Sequence, residues 1–427
     1  LSIAYNREVL GGGVALSCVT DSKFRSCSVR VSFITKLEKH SVLKSALLFD
    51  LLTTSNENIP SRTALLEETE GLYGSYVSPV STRMGDYYLT GIGCGFISDR
   101  CTLDGETISD KMTDLLFDCL FRPHLVEGSF NEEYFQLKQK EAIDAIAATV
   151  NNKRKYALKK ARKLVFEGEP ALYSDLGTEN DVLSLTGADL LAYLKQLMDN
   201  CAIEISVSGD DSVKRCADII RKRILPFTKR EGIEFPEFRR ISPMKTEPVY
   251  ETEDAVVNQS KMVMAFKSDY KDIYTAKLFN ILYGASSTSM LMENVREKLS
   301  LCYYCSSVYG DRKNVLFVDS GVETDNIDIA REEILRQLSE AANGNFSDED
   351  IDNAKRALCD GFSSNYDSPY GMQDWYIAQM TRGTAYSPNE VCEMINAVTR
   401  EQLMECAASF KLDTVFVLRA VSEVKAQ

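Results

Sequence analysis

The chain has 427 residues, 44 % of them hydrophobic and 26 % charged, with 19 Phe and 20 Tyr. That composition excludes disorder and leaves room for two or three domains of about 150 residues. A formal charge of −14 excludes a nucleic-acid partner and favours basic peptides instead. No apolar run approaches the roughly 18 residues that span a bilayer, and Leu1–Val9 carries Arg7 and Glu8, unlike a signal-peptide core; a cytoplasmic protein with no membrane partner is expected.

In chain order, Gly11–Gly13 comes first, and its distance from any strand-to-helix fingerprint excludes a phosphate loop. Ser26–Phe33 alternates as a strand does, and Lys44–Leu52 shows helical apolar spacing. Between them His40, beside Lys36 and Lys39, reads as part of a solvated loop. Tyr73–Gly95 reads as two strands joined by a turn at Met84–Asp86. Ser109–Phe121 is an amphipathic helix with His124 at its exit, and Ser129 or Asn131 is a natural cap for the helix that follows. Lys153–Lys163 is a basic helical face, read in an acidic chain as solvated or partner-binding. The twelve cysteines lie singly in apolar segments such as Leu115–Leu120 and Val391–Ile395 and are expected to be buried and reduced. Cys302 and Cys305 form one C-x-x-C, without the further ligands of a zinc site or the context of a redox motif.

The chain repeats itself. Gln259–Phe266 and Ala276–Tyr283 restate the first strand and helix about 230 residues later. Cys302–Gly321, with a turn at Gly310–Asn314, restates Tyr73–Gly95, and Ile329–Ala342 followed by Gly344–Glu349 restates Ser109–Phe121 followed by Gly128–Glu133. Thr186–Leu190 and Ile203–Val207 match Thr399–Leu403 and Val415–Leu418 at an offset of about 213. Leu225–Thr252 holds four of the ten prolines, with dense charge and no periodicity, and reads as a linker. The expected division is a domain at 1–225, a linker at 226–252 and a second domain at 253–427. Strands before and after helices in each half predict the α+β class: two homologous domains, each a mostly antiparallel sheet with helices packed on one face.

The run from Leu282 to Tyr303 resembles the second-half signature of the pitrilysin/insulinase metallopeptidases. It has a turn at Gly284, a Ser followed by a short apolar helix, then Arg296-Glu297-Lys298, and Tyr303 seven residues after the Arg. Leu72–Tyr76 (LYGSY) and Arg83–Leu89 (RMGDYYL) are similar to segments of bacterial insulinase-like proteins associated with 5-aminopentanol modification of elongation factor P, which implies a bacterial cytoplasm. The resemblance implies an insulinase/mitochondrial-processing-peptidase-like fold in its short, two-repeat form, whose chains work as dimers. It also implies that Arg296 and Tyr303 bind substrate and stabilise an oxyanion, since a guanidinium and a phenol can both donate to a carbonyl oxygen as it becomes negative. On those two residues alone, the other reading is that Arg296 pairs with Glu293 on its own helix and Tyr303 packs in a strand.

Active members of that family carry H-x-x-E-H in the first half, with two His on zinc and a Glu that activates water. This chain has only His40 and His124, 84 residues apart, and cannot contain the motif. The resemblance sets the pattern on Ala46, Leu47, Leu48, Phe49 and Asp50, and a third ligand near Leu137–Lys138, with Glu132, Glu133 and Glu141 on the same segment. A methyl group binds no metal and a phenyl ring polarises no water, so no catalytic residue, metal or cofactor is expected here, and zinc only in a partner. Two functions follow. One is the non-catalytic subunit of a heterodimeric insulinase-type zinc protease, with a zinc-bearing homologue as partner, or a second copy of this chain in a self-dimer, and a peptide or small protein as substrate. The other is a non-proteolytic scaffold of the same fold, like the core subunits of respiratory complexes, associated with elongation factor P modification.

Overall fold

The computed structural model describes residues 3–421. The first repeat runs β1 (Ala4–Gly11), β2 (Val14–Thr20), β3 (Ser26–Lys36), α1 (Ser41–Leu52), α2 (Arg62–Gly71), β4 (Tyr76–Met84), β5 (Tyr87–Ile97) and α3 (Ile108–Phe121). It continues through α4 (Glu132–Asn151), α5 (Lys153–Val165), α6 (Glu179–Leu183), α7 (Gly187–Asn200), β6 (Ala202–Gly209) and α8 (Ser212–Ile224). The second comprises β7 (Val249–Val256), β8 (Ser260–Lys267), α9 (Ile273–Asn280), β9 (Cys302–Gly310), β10 (Val315–Val322), α10 (Ile327–Ala342), α11 (Asp348–Ser363), α12 (Pro369–Met380), α13 (Pro388–Asn396), α14 (Arg400–Ser409) and β11 (Lys411–Val421).

By packing, these residues divide into two units, neither of them continuous in the chain. Unit 1 is Leu1–Ala147, Tyr173–Phe238 and Asn365–Thr384; unit 2 is Ala148–Leu172, Arg239–Ser364 and Ala385–Gln427. The expected division at 1–225, 226–252 and 253–427 differs in one physical respect: α5, from the first repeat, belongs to unit 2, and α12, its counterpart in the second, belongs to unit 1. A helix's own pattern states that it has an apolar or polar face to bury, not which sheet will cover it. The expected linker is also less loose than its composition implies. Phe238 is buried against Ile34 and Leu89 in unit 1, and β7 begins inside the stretch, at Val249.

Unit 1 is a six-stranded sheet in the order β1-β2-β6-β3-β5-β4, antiparallel throughout except for the β2–β6 pair. Alternation along β3 sends Val29, Val31 and Phe33 to one face, where α1, α3, α7 and α8 supply Phe49, Leu116, Leu194 and Ile220 to the core. Ser28 and Arg30 point to the other face, which α12 covers through polar contacts. Gln373 is buried there, donating to Ser206 O at 2.8 Å and accepting from Ser28 Oγ at 2.9 Å. Arg30 pairs with Asp374, and the Tyr376 ring stacks on Tyr5 at 3.8 Å. Gly95 makes the approach feasible, since a Cβ there would lie 2.3 Å from the Tyr370 hydroxyl.

Unit 2 has the sheet order β7-β11-β8-β10-β9, with β7–β11 parallel and the rest antiparallel. This is the order β2-β6-β3-β5-β4 of unit 1 over again, so each expected pair of repeated strands occupies one place in two equivalent sheets. On one face α5 lays down Ala157, Ala161 and Val165, four residues apart, against Val263, Ala265, Val315, Phe317 and Phe416. Its basic residues turn to acceptors at the margins: Arg154 Nη2 donates to Asp319 Oδ1 at 2.9 Å, and Lys160 meets Glu253 at 2.7 Å. At its C-terminus Lys267 Nζ donates to Val165 O and Lys245 Nζ to Leu164 O, 2.9 and 2.8 Å away, where a helix has carbonyls to satisfy and partial negative charge to offset. Asp413, itself buried, is within 3.1 Å of Lys267 Nζ and 3.2 Å of Lys245 Nζ. Burial is the main influence on Lys267 and lowers its pKa, with the Asp413 carboxylate opposing.

Candidate functional site: the Arg296–Tyr303 turn

The stretch that carries the Arg/Tyr signature is folded in an uncommon way. Beyond Asn280 the chain widens into a π-helical turn, Ile281–Ala285, and a second π-helical segment, Leu291–Lys298, carries Arg296. The i→i−5 pattern is visible at its end, where Leu299 N donates to Asn294 O at 3.3 Å. Such turns are rare and concentrate at functional positions. Gly284 is needed for space: a Cβ there would be 2.6 Å from Ser307 Oγ and 2.7 Å from Leu291 Cδ1. Tyr283 anchors the turn in the core, its hydroxyl donating to Ile334 O at 2.8 Å, and Leu291 and Val295 are buried on the inner face of the second segment. Ser300 then reverses the chain at φ 50°, a left-handed conformation strained for a residue with a side chain.

The reversal delivers Tyr303 to the start of β9, an edge strand, at a bulge where the register against β10 shifts between Gly321 and Val322. Arg296 Nε donates to Tyr303 O at 3.2 Å, and a terminal guanidinium nitrogen lies 3.5 Å from Glu297. Both expected residues are therefore held together. Both also face solvent, with the Arg296 side chain 42 % and Tyr303 67 % exposed. The Tyr303 hydroxyl is engaged with the Glu323 carboxylate, which pushes the phenol's pKa up. Glu293 pairs with Lys298, at 3.8 Å, and not with Arg296. Cys302 and Cys305 are buried beneath this bulge. The Cys305 thiol's hydrogen bond, with the Arg296 guanidinium, lowers the pKa of Cys302, while Cys305 is held well up.

The positions expected for the zinc motif lie on α1 in unit 1. Ala46 is half-buried; Phe49 is 1 % exposed, its ring 6.1 Å from that of Phe33. Asp50 sits near Lys138 and Glu141 of α4, so the later helix does face α1 at the expected place, but with an ammonium there. Lys138 Nζ is 2.8 Å from Glu141 Oε2, and burial raises the Asp50 pKa, with Lys138 lowering it and Glu141 raising it in turn. His40 is in the left-handed region at the start of α1, 3.7 Å from Asp181. Among the described residues no three His, Cys, Asp or Glu side chains gather as a metal site. Nor is any helix among them long and apolar enough to cross a membrane.

Comparison with known proteins gives this geometry its context. The family model described as "Peptidase M16 inactive domain" matches residues 184–358, a span that reaches from α7 to α11. The probable inactive metalloprotease YmfF of Bacillus subtilis (strain 168) is 24 % identical over 412 residues, 96 % of this chain and 96 % of that protein. Over residues 184–358 the chain matches the peptidase M16, or insulinase-type, family. Both matches point to a non-catalytic, peptidase-like protein. The uncharacterized zinc protease YmxG of the same organism is a more distant relative, 23 % identical over 305 residues, 69 % of this chain and 70 % of that one. Among solved structures, a conserved protein from Enterococcus faecalis V583 superposes with a TM-score of 0.90 at 25 % identity, over 98 % of this chain and 99 % of that one. The zinc of active M16 enzymes does not fit the residues present here: a methyl, a phenyl and one carboxylate set against an ammonium are not a zinc donor set.

Two participants went unread in the sequence. Glu323 and the bulge at Tyr303 each act across strands, and no local spacing announces them. The one local signal was Ser300, a small polar residue of the kind that turns favour.

Proposed function

We propose that this chain is the non-catalytic subunit of a heterodimeric insulinase-type zinc protease. It would supply Arg296, Tyr303 and part of a peptide-binding chamber to a zinc-bearing homologue. The observation that carries this reading is that Arg296, on its π-helical segment, and Tyr303, on an edge strand, are joined through Nε and the Tyr303 carbonyl while both side chains remain in solvent. A residue pair kept for packing would be buried; one kept for a ligand is positioned and left accessible. In that role both groups donate to the scissile carbonyl as its oxygen gains charge, and Tyr303 exchanges Glu323 for the substrate. The chain's acidity suits basic peptides.

A second reading has its own observation. The Tyr303 hydroxyl is already committed to Glu323, as it would be in a scaffold that no longer handles peptides, associated with elongation factor P modification. Mixing the purified chain with an M16 homologue that retains H-x-x-E-H separates the two. A stable complex on size-exclusion chromatography, with peptide cleavage that neither chain shows alone, supports the protease subunit. Absence of a complex, or a complex whose activity ignores substitution of Arg296 and Tyr303, leaves the scaffold.

A further inference from the structure

α11 and α13 pack antiparallel in unit 2. Lys355 of α11 reaches the end of α13, where its Nζ donates to Asn396 O and Val398 O at 2.9 and 2.8 Å. One turn further along α11 is Cys359, and one turn back along α13 is Cys392. There the helices meet through the two cysteines. Cys359 Sγ is 4.0 Å from Cys392 O, Cys392 Sγ is 3.8 Å from Cys359 O, and the thiols are hydrogen-bonded to each other. Such reciprocal placement turns the two side chains toward one another, as a bridge between facing helices requires. Both are half-buried, and so within reach of a small reagent, whereas Cys27, Cys94, Cys119 and Cys216 are buried.

We propose that Cys359 and Cys392 are a redox-modification site, a dithiol that a small-molecule disulfide such as oxidised glutathione converts into a disulfide between α11 and α13. Cys392 reacts first, because burial and the neighbouring thiol push the pKa of Cys359 up to about 12 and keep it protonated. The Cys392 thiolate displaces one half of the small disulfide, leaving a mixed disulfide and a small thiol that takes up the proton Cys392 lost. Cys359 then gives up its proton and attacks Cys392 Sγ; the protein bond forms, the mixed bond breaks and a second small thiol leaves with that proton. The two protein thiols lose two electrons, and one small disulfide is reduced to two thiols. The bridge closes a loop of 33 residues that contains Asn365–Thr384, the segment that joins unit 1. It thus ties the helix that precedes this excursion to the helix that follows it.

The test is to incubate the full chain with oxidised glutathione, block remaining thiols, digest without reduction and map by mass spectrometry. A Cys359–Cys392 linked peptide, reversed by a dithiol reductant, is expected, with a rise in thermal midpoint on the order of 5 °C from closing the loop. In Cys359→Ser the reaction is expected to stop with glutathione on Cys392, and in Cys392→Ser no linked peptide forms. The proposal is overturned if Cys359 and Cys392 remain free, or stop as separate mixed disulfides in the unsubstituted chain, while exposed Cys101 takes up glutathione.

Discussion

Arg296 is bound through Nε, which fixes the plane of its guanidinium, and Tyr303 is fixed by its place in a strand; what each contributes beyond that depends on charge that appears only during a reaction. In a reconstituted complex, Arg296→Ala or Tyr303→Phe should lower kcat more than it weakens substrate binding, by about 10²-fold for loss of one such donor. Glu323→Gln should act in the opposite sense on Tyr303, weakening the hold on its hydroxyl and lowering the phenol's pKa, which ultraviolet titration would follow. A partner-bound double variant at Arg296 and Tyr303 with full activity would make the pair structural. On α1 the residue chemistry gives a separate expectation: with Ala46, Phe49 and Asp50 in place and Lys138 opposite, the chain alone should retain less than one equivalent of zinc after dialysis. Tight stoichiometric zinc by metal analysis would contradict it.

At the scale of elements, local pattern and outcome agree wherever the cause is local. Ser26–Phe33 alternates because one face of its sheet is a core, and it is β3; Ser129-Phe130-Asn131 and Asn345-Phe346-Ser347 precede α4 and α11. Thr186 and Thr399 are capping residues of α7 and α14, each with a reciprocal partner three residues on. Asp189 is that partner for α7, and hydrogen bonds from the side chain and backbone of Thr186 hold its pKa below 3.8. A carboxylate depressed in the folded state contributes stability that is fully present above its unfolded value and is lost as pH falls through the folded one. Asp189→Asn should therefore lower the thermal midpoint at pH 6, with a cost below the roughly 1 kcal/mol of a whole lost cap because the carboxylate is exposed and Thr186 remains, and with a still smaller cost near pH 3. An equal penalty at both pH values would show that the carboxylate is not the source. What was not legible has a non-local cause. Lys153–Lys163 reads as a solvated or partner-binding basic face, yet its alanines seat α5 in the core of unit 2, and its terminal carbonyls meet Lys267 and Lys245, more than 80 residues away, around Asp413. Asp413→Asn leaves two lysines without their carboxylate and is expected to cost about 3–5 kcal/mol, with α5 amides losing protection in hydrogen exchange before those of β8. Unchanged protection of α5 would mean that its apolar stripe alone secures it.

For the whole molecule, the exchange of α5 and α12 decides what can fold alone. The repeat in sequence implies two self-sufficient halves, since each contains the strands of one complete sheet. Packing implies otherwise. A chain cut between Phe238 and Arg239 leaves unit 1 without Asn365–Thr384 and unit 2 without Ala148–Leu172. The second loss uncovers Val263, Ala265, Val315, Phe317 and Phe416 and strands Lys267 and Lys245 without the carbonyls of α5. Each large apolar side chain uncovered forfeits about 1.5–3 kcal/mol, so the total rivals the 5–15 kcal/mol by which a domain is usually stable. The first loss is more polar, removing Gln373 from Ser28 and Ser206 and opening a face that water can satisfy in part. Residues 239–427 alone are therefore expected to bind a hydrophobic dye and to unfold without a cooperative transition. Residues 1–238 should hold their strand protection better, and adding 148–172 to the second fragment should restore its transition. If 239–427 melts cooperatively and protects the amides of β8 and β10 without that segment, the exchanged helix is a surface feature and not part of the fold's core.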